Sequence, residues 1–234
     1  MQILPGIYLA NGFAYQQHQN GYLVVGDDAA VLIDSGDLGE RETFGDIAAH
    51  LAIWGLRPED VTHLLVTHSH FDHASHAAAW QRLGAQIVAS APAAEAMAAG
   101  DDRCIGYAVQ RAFEPCRVDR VLADGETLAA GNLSFRAIAA PGHADSCLIY
   151  EVTLDGRRIW FCGDVILTDV EGREVTLGWN GGPDFCRPTY LESLRRLAHL
   201  PCDVLLPGHG APRVGEAWRQ VQMAYTKALM EWRS

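Results

Sequence analysis

The stretch VTHSHFDHASH, residues 66–76, brings several potential metal ligands close together in the sequence. The candidates are His68, His70, Asp72 and His73. Imidazole and carboxylate groups are ligands of zinc and related divalent ions. A buried core does not hold so many polar side chains without partners, so the stretch predicts a metal site. Four ligands from one loop exceed what a single tetrahedral ion with an open position needs, which indicates two ions.

Further ligands are predicted at three distant positions, His143 in APGHADS, Asp164 in FCGDV and His209 in LPGHGAP. Each is flanked by small or turn-forming residues, which let the backbone approach a crowded site. We predict that the first ion is held by three histidines, namely His68, His70 and His143. The second ion is predicted to be held by Asp72, His73 and His209. The carboxylate of Asp164 would bridge the two ions.

The predicted pair of ions points to one kind of chemistry. Two divalent ions about 3.5 to 4 Å apart can share a hydroxide, polarise a carbonyl or phosphoryl oxygen and stabilise the developing oxyanion. This predicts hydrolysis through a metal-bridging hydroxide. Asp72 is in addition the candidate catalytic residue, since its carboxylate could accept a hydrogen bond from the hydroxide and pass the proton to the leaving group.

The elements that must position these residues follow a plan that occurs twice in the chain. An apolar run at residues 29–36, AAVLIDSG, is followed by apolar residues at helical spacing and by a short strand that ends in the histidine stretch. In the second half, RRIWFCGD, RPTYLESLRRLAHL and CDVLLPGHG repeat strand, helix and strand. We therefore predict one domain over residues 1–234, with two related halves and with the ligands at one edge of its sheets. Further helical segments are predicted at about residues 91–113, near the site, and at about residues 214–233.

Composition and charge argue against several classes of partner. The net charge is -11 and the Lys and Arg residues are scattered, whereas a nucleic-acid backbone requires clustered cations, so a small-molecule substrate is expected. No apolar stretch approaches the length of a membrane span, and the start MQILPGIYLANGF lacks the features of a secretion signal. The six cysteines show no C-x-x-C pair and are expected to be reduced and mostly buried in a cytoplasmic protein. The amphipathic final helix is expected to pack on the core or on a partner subunit.

The motif order H-x-H-x-D-H, P-G-H, G-D and P-G-H-G resembles that of the metallo-β-lactamase superfamily, over about residues 7–212. The resemblance implies an α+β fold, an αββα sandwich in which helices flank two mixed sheets and a pseudo-twofold axis relates two halves. It also implies two metal ions, usually zinc, with Mn²⁺ or Fe²⁺ as alternatives, held by the ligands assigned above. Asp34 in LIDSG matches a family position behind the ligands, where a carboxylate orients a ligand histidine.

Departures from the better-known branches of this superfamily narrow the substrate. True metallo-β-lactamases usually lack an aspartate at the place of Asp164, so antibiotic hydrolysis is not expected as the main activity. Hydroxyacylglutathione hydrolases (glyoxalase II) resemble this ligand set but add a helical domain, whereas only 25 residues follow His209. Acyl-homoserine-lactone lactonases share the ligands but usually place a tyrosine where Leu167 stands here. Tyr190 and Tyr107 are the candidates to supply that hydroxyl.

Two segments are predicted to shape the substrate pocket. The stretch TLGWNGGPDF, residues 176–185, is too glycine-rich for regular structure and carries Trp179 and Phe185. The predicted helical segment near the site carries further candidates, namely Met97, Ile105, Tyr107 and Phe113. With Tyr190, these apolar and aromatic groups favour an uncharged or hydrophobic ester-like substrate over a phosphate.

The sequence therefore predicts a dinuclear metal-dependent hydrolase, similar to lactonases and glyoxalase II, that cleaves a small carboxylic ester, lactone or thioester. One alternative is an enzyme that resembles persulfide dioxygenases, in which two histidines and an aspartate hold a single iron. A second alternative is a non-catalytic ligand-binding protein on the same fold, whose usual mark is the loss of ligands.

Overall fold

Two β-sheets lie face to face in the computed structural model, which describes residues 1–11, 19–37 and 43–232. The strands of the first sheet are β1 (Gln2–Leu4), β2 (Ile7–Asn11), β3 (Gly21–Val25), β4 (Ala30–Ile33), β5 (Val61–Leu65), β6 (Gln86–Ala89) and β7 (Arg120–Val121). Within the described residues they lie side by side in chain order. Neighbours from β1 to β4 are antiparallel and those from β4 to β7 are parallel, so the sheet is mixed.

The second sheet is built from the later part of the chain. Its first strands are β8 (Thr127–Ala130), β9 (Leu133–Ala139), β10 (Leu148–Leu154) and β11 (Arg157–Gly163). A separate two-stranded ribbon follows, formed by β12 (Leu167–Thr168) and β13 (Val175–Thr176). The sheet is completed by β14 (Val204–Pro207) and β15 (Arg213–Val214). The spatial order is β15, β14, β11, β10, β9 and β8, and only the described pair β11 and β14 is parallel.

Helices cover the outer faces of both sheets. They are α1 (Thr43–Ile53), α2 (Phe71–Ala74), α3 (Ala77–Arg82), α4 (Ala91–Ala99), α5 (Arg187–Leu197) and α6 (Trp218–Glu231). Short 3₁₀ turns occur at Pro58–Asp60, Asp102–Cys104 and Gly106–Val109. The hydroxyl of Ser90 accepts a hydrogen bond from the Ala93 amide at the start of α4, and Gly100 ends this helix in the left-handed conformation, with φ of 61°.

Alternating side chains place the core in three apolar layers. In β4, Val31 and Ile33 belong to the layer between the sheets, while Leu32 belongs to the layer under α1, α3 and α4. In β11, Phe161 belongs to the central layer, while Trp160 packs in the layer under α5 and α6. Both strands are buried on both faces, and the αββα arrangement implied by the resemblance is confirmed.

The strand-helix-strand repeat expected from the sequence is present in both halves. Strands β4 and β5 are parallel with α1 between them in the chain, and β11 and β14 are parallel with α5 between them. The segment at residues 91–113 contains α4 and two 3₁₀ turns, and regular structure ends at Val109. The last helix begins at Trp218, since residues 213–214 pair with β14 and the next two, Gly215 and Glu216, have left-handed backbones with φ of 85° and 53°.

Two further expectations concern the whole chain. None of the helices in the described ranges combines the length and the apolar character needed to cross a bilayer. All six cysteines are free thiols, of which Cys186 is exposed and the other five are buried.

Candidate metal centre

Seven histidine and aspartate side chains converge where strands end, at one edge of the two sheets. His68 and His70 follow β5, and α2 carries Asp72 and His73. The remaining three follow β9, β11 and β14, and they are His143, Asp164 and His209. Ligands commonly bind at the carboxyl ends of strands in α/β sheets. The seven residues that the sequence singled out are therefore brought together in space.

The first group of ligand atoms, called the histidine cluster below, consists of His68, His70 and His143. All three side chains are buried, and one nitrogen of each lies within 4.8 Å of the others. Nε2 of His143 is 3.2 Å from Nε2 of His68 and 3.1 Å from Nδ1 of His70. Three imidazole nitrogens thus point at one small volume, as three ligands of one ion would.

The hydrogen bonds behind the histidine cluster fix its protonation. Nδ1 of His143 is 2.9 Å from the carbonyl oxygen of Trp179, so it must carry the proton. The Thr67 hydroxyl donates to Asp34 and lies 3.1 Å from Nδ1 of His68, so it accepts from that nitrogen. Nε2 of His143 and Nε2 of His68 are therefore unprotonated, and their lone pairs face each other across 3.2 Å. Such an arrangement is stabilised by a cation between them, and the site fits a metal ion.

The second group, called the mixed cluster below, consists of Asp72, His73, Asp164 and His209. Its ligand atoms also lie within 4.8 Å of one another. Nε2 of His73 is 3.2 Å from Oδ1 of Asp164 and 3.4 Å from Oδ2 of Asp72. Nε2 of His209 is 3.1 Å from Oδ2 of Asp72 and 3.4 Å from Oδ2 of Asp164. A cation, either a proton or a metal ion, is required among these carboxylates.

Asp164 lies between the two clusters. Its Oδ1 faces His73, while its Oδ2 is 3.7 Å from Nε2 of His143. Gly208 leaves room for the Asp164 carboxylate beside His73, because a Cβ on Gly208 would lie 2.4 Å from Oδ1 of Asp164 and 2.6 Å from Cε1 of His73. The glycine of the P-G-H-G motif is therefore required by close packing against the candidate ligands.

Asp34 supports both clusters from behind. Its Oδ2 accepts from Nδ1 of His73 at 2.8 Å and from the Thr67 hydroxyl at 2.7 Å, and its Oδ1 accepts from the Thr67 amide at 2.7 Å. The residue has a left-handed backbone with φ of 56°, which is unusual outside glycine. One carboxylate thus orients His73 directly and His68 through Thr67.

The electrostatics of the two clusters differ. Burial lowers the pKa of His68 well below its usual value and that of His70 to about 3, and it also lowers the pKa of His143. Although burial opposes it, the carboxylates of Asp164 and Asp72 raise the pKa of His209 to about 9. The histidine cluster is therefore neutral at pH 7, and a metal-free mixed cluster holds protons.

The pKa values of the other mixed-cluster members move in the directions expected for ion pairs. Burial opposes a charged His73, but the three carboxylates around it raise its pKa well above the usual value. Burial likewise opposes the ionised forms of Asp72 and Asp164, but the facing histidines hold the pKa of both carboxyls well below the usual value. Two carboxylates and two imidazolium groups thus neutralise one another when no metal ion is bound.

A cavity of about 450 Å³ opens onto the two clusters. It is lined by His70, Phe71, Asp72, Ile105, Ala108, Val109, His143, Asp164, Leu167, Trp179 and His209. Its volume is in the range of small-molecule sites. A larger groove of about 1000 Å³ follows the outer face of α6, but none of the candidate ligands lines it, so we place the chemistry in the smaller cavity.

Only some of the pocket residues expected from the sequence line the cavity. Trp179 and Ile105 line the cavity. Tyr107 lies on the 3₁₀ turn beside it, with its side chain 52% exposed and its hydroxyl 3.5 Å from the carbonyl oxygen of Gly181. Met97 and Phe113 are buried in the layer under α4 instead. Phe71, Ala108 and Val109 were missed, because their apolar character alone does not distinguish a cavity wall from the core.

Phe185 and Tyr190, which were also predicted as pocket residues, are not among the described residues that line this cavity. The Phe185 ring packs 6.3 Å from those of Tyr190 and Trp232, in the layer under α5 and α6. Tyr190 is fully buried, and its hydroxyl lies 2.6 Å from the carbonyl oxygen of Val165 and accepts from the Gly178 amide at 3.0 Å. Aromatic residues at helical spacing are more often core than pocket.

Tyr190 instead supports the centre through the backbone. Its hydroxyl also lies 3.0 Å from the carbonyl oxygen of Asp164. The Gly178 amide donates a hydrogen bond to the Tyr190 hydroxyl. The next residue is Trp179, whose carbonyl group accepts a hydrogen bond from Nδ1 of His143. One buried hydroxyl therefore joins the backbone of Asp164 to the loop that orients His143.

Comparison with known proteins agrees with this architecture. The family model of the metallo-beta-lactamase superfamily matches residues 14–209. Among solved structures, a metallo-β-lactamase of Cronobacter sakazakii with a HARLDQ motif has a TM-score of 0.79 at 21% identity, covering 100% of this chain and 97% of that one. A metallo-β-lactamase family protein of Thermus thermophilus has a TM-score of 0.75 at 26% identity, covering 98% of this chain and 82% of that one.

Curated relatives include proteins named as thioesterases. The thioesterase pkgB of Emericella nidulans is 28% identical over 83% of this chain and 46% of its own length. The atrochrysone carboxyl ACP thioesterase of Aspergillus fumigatus is 24% identical over 83% of this chain and 51% of its own length. The chain thus spans about half the length of these relatives.

Proposed function

The chain belongs to the metallo-β-lactamase superfamily, and we propose that it is a dinuclear metal-dependent hydrolase that cleaves a small carboxylic ester, thioester or lactone. The observation that carries the proposal is the pair of ligand clusters at the base of one apolar cavity. The relatives named as thioesterases support an acyl substrate, and they favour a thioester within this class.

The residues present fit two divalent ions, of which zinc is the expected metal and Mn²⁺ or Fe²⁺ are the alternatives. The histidine cluster would hold one ion and the mixed cluster the other, with Asp164 shared between them. When bound, such ions lower the pKa of water and polarise a carbonyl oxygen, which is the Lewis acidity that acyl hydrolysis requires.

The chain's own groups would keep the centre in its reactive arrangement. The Trp179 carbonyl group and the Thr67 hydroxyl hold His143 and His68 with Nε2 unprotonated, so that both lone pairs are free to bind metal. Asp34 accepts from Nδ1 of His73, so that Nε2 of this histidine faces the site and would bind metal once its proton is displaced. Because these partners are already in place, little reorganisation is needed when metal binds.

Asp72 is the proposed proton carrier. Its carboxylate lines the cavity and is ionised, since the facing histidines hold its pKa well below the usual value. We propose that this ionised carboxylate accepts a hydrogen bond from the attacking water and passes the proton to the departing alkoxide or thiolate. The proposal expects Asp72→Ala to lose more turnover than its loss of metal explains, and equal losses would contradict this role.

The deciding experiment combines metal analysis with activity. Protein purified without added metal is analysed for elements, depleted with a chelator, reloaded, and assayed with ester, thioester, lactone and phosphodiester substrates. The proposal expects about two divalent ions per chain, and acyl hydrolysis that is lost on chelation and restored on reloading. One iron per chain with oxygen uptake and no hydrolysis would overturn it in favour of the oxidative alternative.

A further inference from the structure

Among the described residues, those that line the cavity above the clusters form an apolar surface and include no cation to pair with a charged substrate. Six of its described lining residues are apolar or aromatic, namely Phe71, Ile105, Ala108, Val109, Leu167 and Trp179. The others are the histidines and aspartates of the two clusters. Neither lysine nor arginine is among the described residues that line this cavity.

The arginines nearest the 3₁₀ turns are already paired with acids. The guanidinium of Arg111 is 3.0 Å from the buried carboxylate of Asp37 and lies 5.4 Å from the ring centre of Phe71. That of Arg103 is 2.8 Å from the carboxylate of Asp101. Recruiting either cation to a substrate would cost an existing ion pair.

The charged side chain of Asp184 lies near the histidine cluster but is not among the described lining residues. A Cβ on Gly182 would lie 3.4 Å from Oδ1 of Asp184 and 3.4 Å from Nε2 of His70. Oδ2 of Asp184 accepts from the Asp145 amide at 3.0 Å, which fixes the side chain. This nearby group is an acid, so it offers no counter-charge to a substrate that carries a carboxylate.

The apolar wall is formed before substrate binds. Ile105 and Gln110 have left-handed backbones with φ of 49° and 56°, and a Cβ on Gly106 would lie 2.3 Å from the carbonyl oxygen of Arg111. The turn is thus tightly folded on itself. The ion pair between Arg111 and Asp37 fastens its end to the loop after β4. A preformed wall loses little entropy when a ligand is bound.

We propose that the acyl group accepted by this site is uncharged and apolar, and that it lies against Phe71, Ile105, Ala108, Val109 and Leu167. This inference rests on the proposed hydrolase function and adds the class of substrate. Each methylene buried against the wall strengthens binding by up to about fourfold. A terminal carboxylate would instead lose hydration without gaining a counter-charge from the wall.

The test uses N-acetylcysteamine thioesters with the metal-loaded protein. The series comprises acetyl, propionyl, butyryl and pentanoyl esters, together with glutaryl, which replaces the terminal methyl group of pentanoyl with a carboxylate. We expect kcat/KM to rise along the neutral series and to be at least about tenfold lower for glutaryl than for pentanoyl. A glutaryl value equal to or above that of pentanoyl would overturn the inference and leave the hydrolase proposal standing.

A gain-of-function variant provides the second arm. Ala108→Lys adds a cation to an exposed position on the cavity wall, and we expect it to raise the glutaryl to pentanoyl ratio of kcat/KM by about tenfold. Ala99→Lys is the matched control, since Ala99 is an exposed alanine on α4 outside the cavity lining, and it should leave the ratio unchanged. The same rise in both variants would overturn the inference. If the loaded protein hydrolyses esters but no thioester, the same acyl series is compared as esters. If it hydrolyses no acyl substrate, the proposed function fails, and the inference falls with it.

Discussion

The histidine cluster and the mixed cluster lie side by side but balance their buried polar atoms in different ways. In the histidine cluster, burial keeps the three imidazoles neutral, and two unprotonated nitrogens face each other at 3.2 Å. In the mixed cluster, two carboxylates face two histidines whose pKa values are raised. At neutral pH the first cluster holds no protons that stand in for metal, whereas protons take the place of metal in the second. Adjacent clusters that share the histidine stretch but differ in their carboxylates therefore differ in what a metal ion displaces.

The largest effect is expected from removing the group that lies between the clusters. Asp164→Ala takes away the carboxylate that contacts both clusters. The ligand shared by the two ions is then absent, and the mixed cluster should lose its ion. We expect kcat/KM for a thioester to fall by at least about 10³-fold, the scale on which loss of a charge-stabilising group acts. Steady-state kinetics with elemental analysis measures both effects. Full activity with two ions retained would show that Asp164 does not join the clusters.

The next largest effect is expected at Asp34, which supports both clusters. Asp34→Asn keeps a side chain that tolerates the left-handed backbone, but it replaces one carboxylate oxygen with an NH2 group, which would face either the Thr67 amide or the Thr67 hydroxyl and His73, all of them donors. Metal affinity or activity should fall by about 10- to 100-fold. Asp155→Asn is the matched control, because Asp155 also has a positive φ, 49°, but lies in an exposed turn. An equal loss in the control variant would attribute the effect to the backbone.

Proton release on metal binding would sharpen the comparison between the clusters. At pH 7 the ion entering the histidine cluster has no proton to displace, while the ion entering the mixed cluster displaces those on His73 and His209. Metal affinity of the mixed cluster should therefore rise with pH up to about 9, and that of the histidine cluster should stay nearly constant above neutrality. Calorimetry in buffers of different ionisation enthalpy measures the protons released at each binding step.

The variant that tests this assignment is His209→Asn. It removes one titrating group from the mixed cluster only, so the second binding step should release about one proton fewer than in the wild type. The histidine cluster should bind its ion as before. Equal proton release at both steps in the wild type would contradict the difference between the clusters.

The smallest effect is expected from Tyr190→Phe, which leaves every candidate ligand in place. Loss of its hydroxyl removes the partner of the Gly178 amide and of the Val165 and Asp164 carbonyl groups, which should lower the free energy of unfolding by about 1 to 3 kcal/mol. The loop that orients His143 should loosen, with a lower metal affinity. Tyr150→Phe is the control, since that buried hydroxyl contacts the carbonyl groups of Val66 and Val88 and not this loop. Denaturant unfolding measures the loss of stability in both variants, and metal titration shows whether Tyr190→Phe alone also lowers the metal affinity.

The fold and the convergence of the candidate ligands could be predicted because their signals are local. Buried strands read as apolar runs, and His143, Asp164 and His209 each follow such a run beside a glycine that the packing requires. The αββα sandwich and its pseudo-twofold axis were predicted from the resemblance, and the two halves from the repeated strand-helix-strand pattern.

The walls of the cavity could not be predicted in the same way. Tyr190 and Trp179 are both aromatic, but one is buried under α6 and the other faces the cavity, and only the tertiary packing separates them. The turn at Gly106–Val109 depends on a left-handed Ile105, a conformation that a β-branched residue rarely adopts and that the sequence does not signal. Thr67 lies within the histidine stretch, but its role depends on hydrogen bonds to Asp34, which is distant in the chain, and the stretch itself does not signal them.

The ligands come from both halves of the chain, which has a consequence for unfolding kinetics. The histidine stretch follows β5 in the first sheet, while the other candidate ligands follow strands of the second sheet. The sheets of a loaded protein cannot separate until an ion is released, so bound metal would act as a clamp that raises the barrier to unfolding as well as the equilibrium stability. Susceptibility to proteases would then report the occupancy of the centre, and metal starvation would shorten the lifetime of the chain.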